Sequence, residues 1–524
     1  MPGNDKSRRA IVVEARSPEY AVPDSCIGTF PRKSPTMHRN ATALLPLLLT
    51  VCSLADSADS GAEAYRVTKL RDSVVDPAAL TIAGGFGQAI NGLSFQQDAV
   101  TTHAGWQYVG YYDANRRVCL ARRKLPDGEW QHLRFQDYDF RSDDAHNTIS
   151  LGLCPKDGTI HLAFDHHGHP LHYRVSRPRV ATEPQKTAWE PSLLGPVTSE
   201  LEAGKRLTTV TYPRFWRTPD GGLQFCYRIG GSGNGDRMLV DYSPEDHSWQ
   251  HTRPIDSRAG TFSDRFNTSP SRCSYPNGYT YDPQGRLHTT WVWRERTQGA
   301  NHDLMYAFSE DRGFTWRNSQ GQLVGDSRTP GQAIRLDSPG ITVVPIGREL
   351  YLMNTHGQAV DSHGRIHTVM WHATDASLAQ AKDKQQGQFG PPDARRYHHY
   401  WRGDDGTWHH TELPGVAGSR PKLFFDKQDN ALMIFNRRRP EGKLDDRSVF
   451  FDQGVLVIMA ATAASQWSDW QVVHRERGPF VNEMLGDPYR WQEEGVLSVL
   501  VQESPAKPRD PTALRILDFT FGRN

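Results

Sequence analysis

Between Asp144 and Arg174 the chain runs DAHNTISLGLCPKDGTIHLAFDHHGHPLHYR, with six histidines in one stretch. Imidazoles at that density suit three chemistries: metal ligation, acid–base catalysis near neutral pH, or neutral packing inside a sheet. Spacing separates them. His161 alternates with apolar neighbours in TIHLAF and belongs to a strand interior. His169 and His172 fall in the following loop and third strand. His146 heads the first strand-like run, and His166 and His167 follow the second. An antiparallel hairpin brings those ends together, so His146 and His167 can face one cavity. No HExxH or similar local pair is present, and zinc would need a third ligand, a carboxylate or imidazole from another part of the fold. The identity of any metal stays open at this level.

The next segments favour acid–base chemistry. Tyr212 and Arg214 lie in TYPRFW, and Arg228 ends the hairpin that follows, in QFCYRIGGSGNGD. That glycine-rich run precedes no helical pattern, so it is not a phosphate loop; it is expected to let substrate approach the backbone closely. Histidine, tyrosine and arginine together suit β-elimination on a uronic acid. Arginine neutralises the carboxylate and acidifies the C5 proton, a neutral histidine or ionised tyrosine removes it, and a second such group protonates the leaving oxygen. Hydrolysis of a glycoside usually needs two carboxylic acids flanking the bond. Asp98, Asp165, Asp236, Asp303 and Asp487 show no such pairing in the sequence.

These residues sit in a repeated phrase: a polar start, a short apolar strand, a Gly or Asp turn, and a second strand ending in aromatics or arginine. It begins at Ser94, His146, Tyr212, Tyr275, Gly357, Arg420 and Asp487. Most copies continue into a third strand and a tryptophan-bearing turn, as in VCLARRKLPDGEWQ and RRYHHYWRGDDGTW. Asp-Gly between two strand-like runs is a strong hairpin signal. The expected fold is all-β, a seven-bladed β-propeller with four-stranded antiparallel blades. AYRVTKL near the start is expected to pair with LRILDFTFG and complete the last blade. SEDRGFTW, from Ser309 to Trp316, is an Asp-box turn that is structural rather than catalytic. In a propeller the innermost strand of each blade starts at the channel mouth. Gln96, Gln97, His146, Asn147, Tyr212, Arg214, Tyr275, Asn277, His356, Gln358, Arg420 and Asp487 should therefore converge. Of these Asn147, Arg214, Tyr275, Asn277, His356 and Arg420, with His166, are the candidate substrate contacts.

The rest of the chain limits partners. Net charge is +1, with acids and bases interspersed, so no footprint for nucleic acid or an anionic membrane appears. Residues 1–36 form a polar leader or gene-model extension, and 37–60 resemble a secretory signal: His38 and Arg39, an apolar run, then small residues. Its apolar run is short and contains Pro46, so no membrane association is expected after its removal. That leaves 65–524 as one catalytic domain, secreted to the extracellular space, or to the periplasm in a bacterium, and monomeric because a closed propeller has no free edge. Cys119, Cys154, Cys226 and Cys273 lie in strand-like runs without CxxC spacing, as buried thiols or a disulfide. The insert from His372 to Trp401 is expected to carry a short surface helix or loop.

AHNTISLG, IHLAFDHHGHPLHYR, TYPRFW, YRIGGSGNGD, YPNGYTY, NHDLMY and NTHGQAVDS resemble the BNR-repeat propeller enzymes that act on rhamnose–uronate linkages. The resemblance covers nearly the whole mature chain. It is nearest to the L-rhamnose-α-1,4-D-glucuronate lyases (polysaccharide lyase family 42), then to the related α-L-rhamnosidases acting on arabinogalactan, and more distantly to ulvan lyases. It implies His146, His167 and Tyr212 as acid–base groups and Arg228 as the carboxylate neutraliser. The implied substrate is an acidic rhamnose- and glucuronate-containing polysaccharide such as gum arabic. The chemistry needs no cofactor, and the resemblance permits a structural calcium in the channel. The rhamnosidase branch places its histidine on the opposite face near the first blade, where this chain has Gln96 and Gln97, with His103 slightly further on. That departure favours the lyase.

Overall fold

Strands dominate because β-branched and aromatic residues recur in short runs broken by Gly and Asp turns. A computed structural model describes residues 65–84, 87–93, 99–382, 389–438 and 454–523, within the unit Ala62–Asn524. The leader and signal read at 1–60, Cys26, Cys52, Gln96, Gln97 and Asp98 lie outside the described residues.

Six of the seven phrases fold as the antiparallel hairpins their turns predict: Val100–His103 with Trp106–Tyr112, Ile149–Leu153 with Ile160–Phe164, Val210–Arg217 with Leu223–Gly231, Arg272–Pro276 with Leu287–Glu295, Gly357–Val360 with Ile366–His372, and Lys422–Phe425 with Ala431–Arg438. Strands such as Trp106–Tyr112 and Ile149–Leu153 are buried along their whole length, whereas the outer strand Gln131–Asp139 alternates buried and exposed. Strands covered on both faces are what stacked sheets require. The Asp-box behaves as expected. Asp311 accepts the Thr315 N–H at 2.7 Å and its hydroxyl at 2.8 Å, and Trp316 is buried.

The seventh phrase departs from expectation. Pro488–Glu494 is a helix, N-capped by Asp487, which accepts from the N–H groups of Tyr489 and Arg490. The inner strand of that sheet is instead the end of Gln471–Gly486, which pairs with Leu497–Glu503. Asp487 is therefore fully buried and accepts hydrogen bonds from Thr102 and Gln107 instead of heading an inner strand. The first part of Gln471–Gly486 pairs with Gly454–Ala461, so this long strand joins the last two repeats into one seven-stranded sheet. Tyr65–Ala79 closes that sheet against Thr512–Arg523, as AYRVTKL predicts.

A second departure shapes the site. His167–His169 leaves its own repeat and pairs with Val210–Arg217, with His167 opposite Thr211. The second repeat keeps three strands and the third gains a fifth. The chain turns at Asp165, whose φ is +62°. All four described cysteines are free and buried. In the insert the described helix is Asp375–Gln380, closed by a Thr374/Ser377 capping box. Among the described residues no helix is long and apolar enough to cross a membrane.

Candidate active site

The turn before Ile149–Leu153 builds the first half of the site. Asp144 donates its N–H to Ser142 Oγ at 2.9 Å, and the N–H of Asn147 donates to the Asp144 carbonyl at 3.1 Å. These bonds fix the Asp144 carboxylate. Its Oδ1 accepts from the His146 backbone N–H at 3.0 Å and lies against His146 Nδ1, and its Oδ2 meets His167 Nδ1 at 2.6 Å. The two imidazoles stack, centroids 4.3 Å apart and planes 20° apart. The crossing strand thus delivers His167 to His146, with Asp144 between them. Asn147 holds the turn from beneath: it is fully buried, its Nδ2 donates to Asp165, and its Oδ1 has no hydrogen-bond partner.

Tyr212 lies 6.1 Å from His146 and 5.8 Å from His167, ring centroid to ring centroid. It is there because the ladder slips between Thr211 and Arg214, a bulge at which Tyr212 takes φ +52°. Bulges re-aim side chains, and a positive φ at a bulky residue is strained, a feature concentrated at functional sites. Tyr275, from the next sheet, packs 5.8 Å from Tyr212. The Arg228 guanidinium lies over both rings, 4.9 Å and 5.1 Å from their centroids, and donates to Cys273 Sγ at 3.4 Å. Arg228 is only 4% exposed, behind the phenols, with its Nε unpartnered.

Electrostatics assigns protonation states. Burial works against the Asp144 carboxylate, but hydrogen bonds from His146 and His167 outweigh it and hold the group far below the usual range. Burial lowers His146, and the charges of His167 and Arg420 act the same way against the pull of Asp144. Burial, then the neighbouring Tyr275, raise Tyr212 well above the ordinary phenol value, only partly offset by Arg228. Tyr212 is therefore held as a phenol at neutral pH.

The other expected contacts divide. Arg420, 6% exposed, is ion-paired with the buried Glu483 of the final inner strand, close enough to His146 to lower its basicity. Glu483 holds the place that Asp487 was expected to take. Arg214 turns to the next sheet and donates to the Pro276 carbonyl at 3.2 Å. Asn277 and His356 tie adjacent sheets: the His356 N–H donates to Asn277 Oδ1 at 3.0 Å, and His356 Nε2 accepts the Trp371 N–H at 3.1 Å. Both line a cavity of about 600 Å³ that also includes Arg217 and Trp491. His166 is buried beneath the turn and accepts the His172 N–H at 2.8 Å, so it packs rather than binds. His161 is interior, as expected, between Thr159 and Tyr173. The glycine-rich loop packs against protein, since a Cβ on Gly233 (φ +67°) would meet Arg296 Cα at 2.5 Å. Near the start of the first repeat, burial and then Arg217 lower His103 to about 4.

Sequence reasoning missed Asp144, Glu483 and a rim chain in which Arg294 Nε donates to Ser232 Oγ at 2.9 Å, itself 3.4 Å from the Tyr275 hydroxyl. Asp144, His146 and His167 turn ligand atoms to within 4.8 Å of one another, a gap an ion can span. The second such group is Asp361, His363 and Asp429.

The chain and its fold have relatives. A long-isoform ulvan lyase of Alteromonas sp is 25% identical over 325 residues, 53% of this chain and 32% of that protein. The match thus spans about a third of that relative's length. The polysaccharide lyase Uly1 superposes with a TM-score of 0.62 at 16% identity, covering 86% of this chain and 99% of its own. A PL25 ulvan lyase bound to -[GlcA(1-4)Rha3S]- superposes at 0.59 and 14% identity, covering 85% and 96%. These superpositions show a shared fold. Residues 106–415 match the model described as BNR repeat-containing family member, and with more than half of its length inside that model the chain belongs to the BNR repeat-containing family.

Proposed function

We propose that this chain is a secreted, monomeric polysaccharide lyase on a seven-bladed propeller. It cleaves the L-rhamnose-α-1,4-D-glucuronate linkage of arabinogalactan side chains, releasing rhamnose and an unsaturated uronate. The observation that carries this reading is the meeting of an Asp144–His146–His167 cluster with protonated Tyr212 and cationic Arg228. The relatives named as ulvan lyases support the reaction class.

The elimination proceeds at the glucuronate. Arg228 favours the negative charge that develops on the carboxylate, across the rims of Tyr212 and Tyr275; direct contact requires the phenols to part. A neutral histidine takes the C5 proton through Nε2. Electrons form the C4–C5 double bond, the C4–O4 bond breaks, and Tyr212 or the second histidine protonates the departing rhamnose oxygen. No step needs a metal.

A second reading is an endolyase on ulvan, favoured by the relatives' names and by the glucuronate–rhamnose unit bound to one of them. Gum arabic and ulvan assayed side by side, with wild type and His146→Ala, separate the outcomes. Ultraviolet-absorbing product and free rhamnose from gum arabic, lost in the variant, support the first reading; absorbing product from ulvan alone supports the second. Free rhamnose without absorbance means hydrolysis and moves attention to His103. Binding without turnover of either means a glycan-binding propeller.

A further inference from the structure

We infer that Asp144 is the positioning residue of this site: by accepting one Nδ1–H from each of His146 and His167, it fixes both rings as Nδ1–H tautomers and turns their Nε2 edges away from its own carboxylate. The inference deepens the lyase reading and rests on it only for its kinetic arm.

An ionised carboxylate can only accept hydrogen bonds. Both imidazole contacts are made through Nδ1, so each Nδ1 carries a proton and the lone pair of a neutral ring lies on Nε2. The planes differ by 20° and both Nδ1 atoms share one carboxylate, so both Nε2 atoms lie on the edges away from Asp144. The rings stack with centroids 4.3 Å apart, so one carboxylate aligns two imidazoles side by side, as an elimination that uses both a base and an acid requires. Asp144 can do this because its turn already fixes it, through the Ser142 hydroxyl, the His146 N–H and the Asn147 N–H. Its own carboxylate need not touch the sugar.

The test labels histidine with nitrogen-15 and reads imidazole tautomers by NMR between pH 5 and 8. It compares wild type, Asp144→Asn and Asp144→Ala, with His146→Gln and His167→Gln for assignment. The Asn variant keeps an acceptor for the His146 N–H and removes the charge, so it reports even where the Ala variant fails to fold. In wild type both rings are expected as Nδ1–H tautomers wherever they are neutral. Without the Asp144 charge the tautomers should mix. On whichever polysaccharide wild type cleaves, Asp144→Asn should lose at least about tenfold in kcat with KM within about threefold, and the pH profile should shift. Unchanged tautomers in both variants would overturn the inference. So would a stoichiometric zinc ion in wild type that Asp144→Ala lacks, because the metal would then fix the rings. Should no polysaccharide be cleaved, the lyase reading fails while the tautomers still decide the role of Asp144.

Discussion

Lowering the pH from 7 to 5 should remove a large part of this protein's stability before any carboxylate is titrated. Burial holds His161 at about 3, His372 at about 4 and His398 at about 2. Their hydrogen bonds need the neutral rings. His398 Nε2 lies 3.3 Å from the His372 carbonyl, so its Nδ1 accepts from His410 at 2.9 Å; His372 Nδ1 donates to the Ala373 carbonyl at 2.7 Å and its Nε2 accepts from Tyr400 at 2.8 Å. An unfolded histidine titrates near 6.5. Between that value and the lowered folded value the unfolded chain binds more protons, so stability falls as pH falls. At pH 5 each of the three contributes a loss of about 2 kcal/mol, about 6 kcal/mol together, against a typical total of 5–15 kcal/mol. His166, His356 and His399, also held well below 6.5 by burial, act in the same direction. The depressed carboxylates Asp220 and Asp361, each near 2, keep their contribution until the pH falls below the ordinary carboxylate range, so the window from 6.5 to 5 isolates the histidines. Urea unfolding at pH 7 and pH 5 measures the difference. In His161→Gln that difference should shrink by about 2 kcal/mol, whatever the variant's stability at pH 7. Equal stability of wild type at the two pH values would refute the reasoning, since the buried rings would then have to accept protons without cost.

Two further outcomes test separate parts of the fold. Asp311→Ala removes an acceptor for Thr315 and Ser309 and should cost about 1–2 kcal/mol in urea unfolding while leaving kcat/KM unchanged, because the Asp-box carries no chemistry. Arg420→Met leaves Glu483 buried without its arginine and should cost about 3–5 kcal/mol; adding Glu483→Gln should restore most of it, read by thermal unfolding of the single and double variants.

Much of this architecture was legible in the chain because a hairpin is a local object. Asp-Gly and Asp-x-x-Gly turns between apolar runs announce their own register, and the alternation around His161 places that ring inside a sheet without any knowledge of its neighbours. The Asp487 phrase shows a misread local signal. Asp487 as N-cap, Pro488 at the first helical position and Gly495 just past the end are helix boundaries available in the sequence, yet the apolar spacing was taken for a strand. Glu483 was lost through that shift. The crossing of His167–His169 was legible from neither pattern nor propensity, because it depends on the positive φ of Asp165 and on pairing with a strand more than forty residues away. Asp144 was missed for a similar reason: the role of a carboxylate two residues before a histidine depends on whether a second histidine arrives on its other oxygen.

That crossing also sets one junction of the repeated fold apart from the others. At the other junctions the polar residues heading the inner strands are used within the fold: Asn277 on His356, Arg214 on the Pro276 carbonyl, Arg420 on Glu483. A buried polar group left unpaired costs stability, so such pairing is the default for any propeller mouth lined with side chains. Between the second and third repeats the default is broken. His167–His169 occupies the edge of Val210–Arg217, its Gly168 N–H bonds to Thr211 Oγ at 3.0 Å, and the local slip turns Tyr212 towards the histidines. Asp144 then satisfies two rings with one carboxylate, through the Nδ1 atom of each. Elsewhere polar groups fasten neighbouring sheets together; here a turn, a crossing strand and a bulge fasten two imidazoles to one carboxylate.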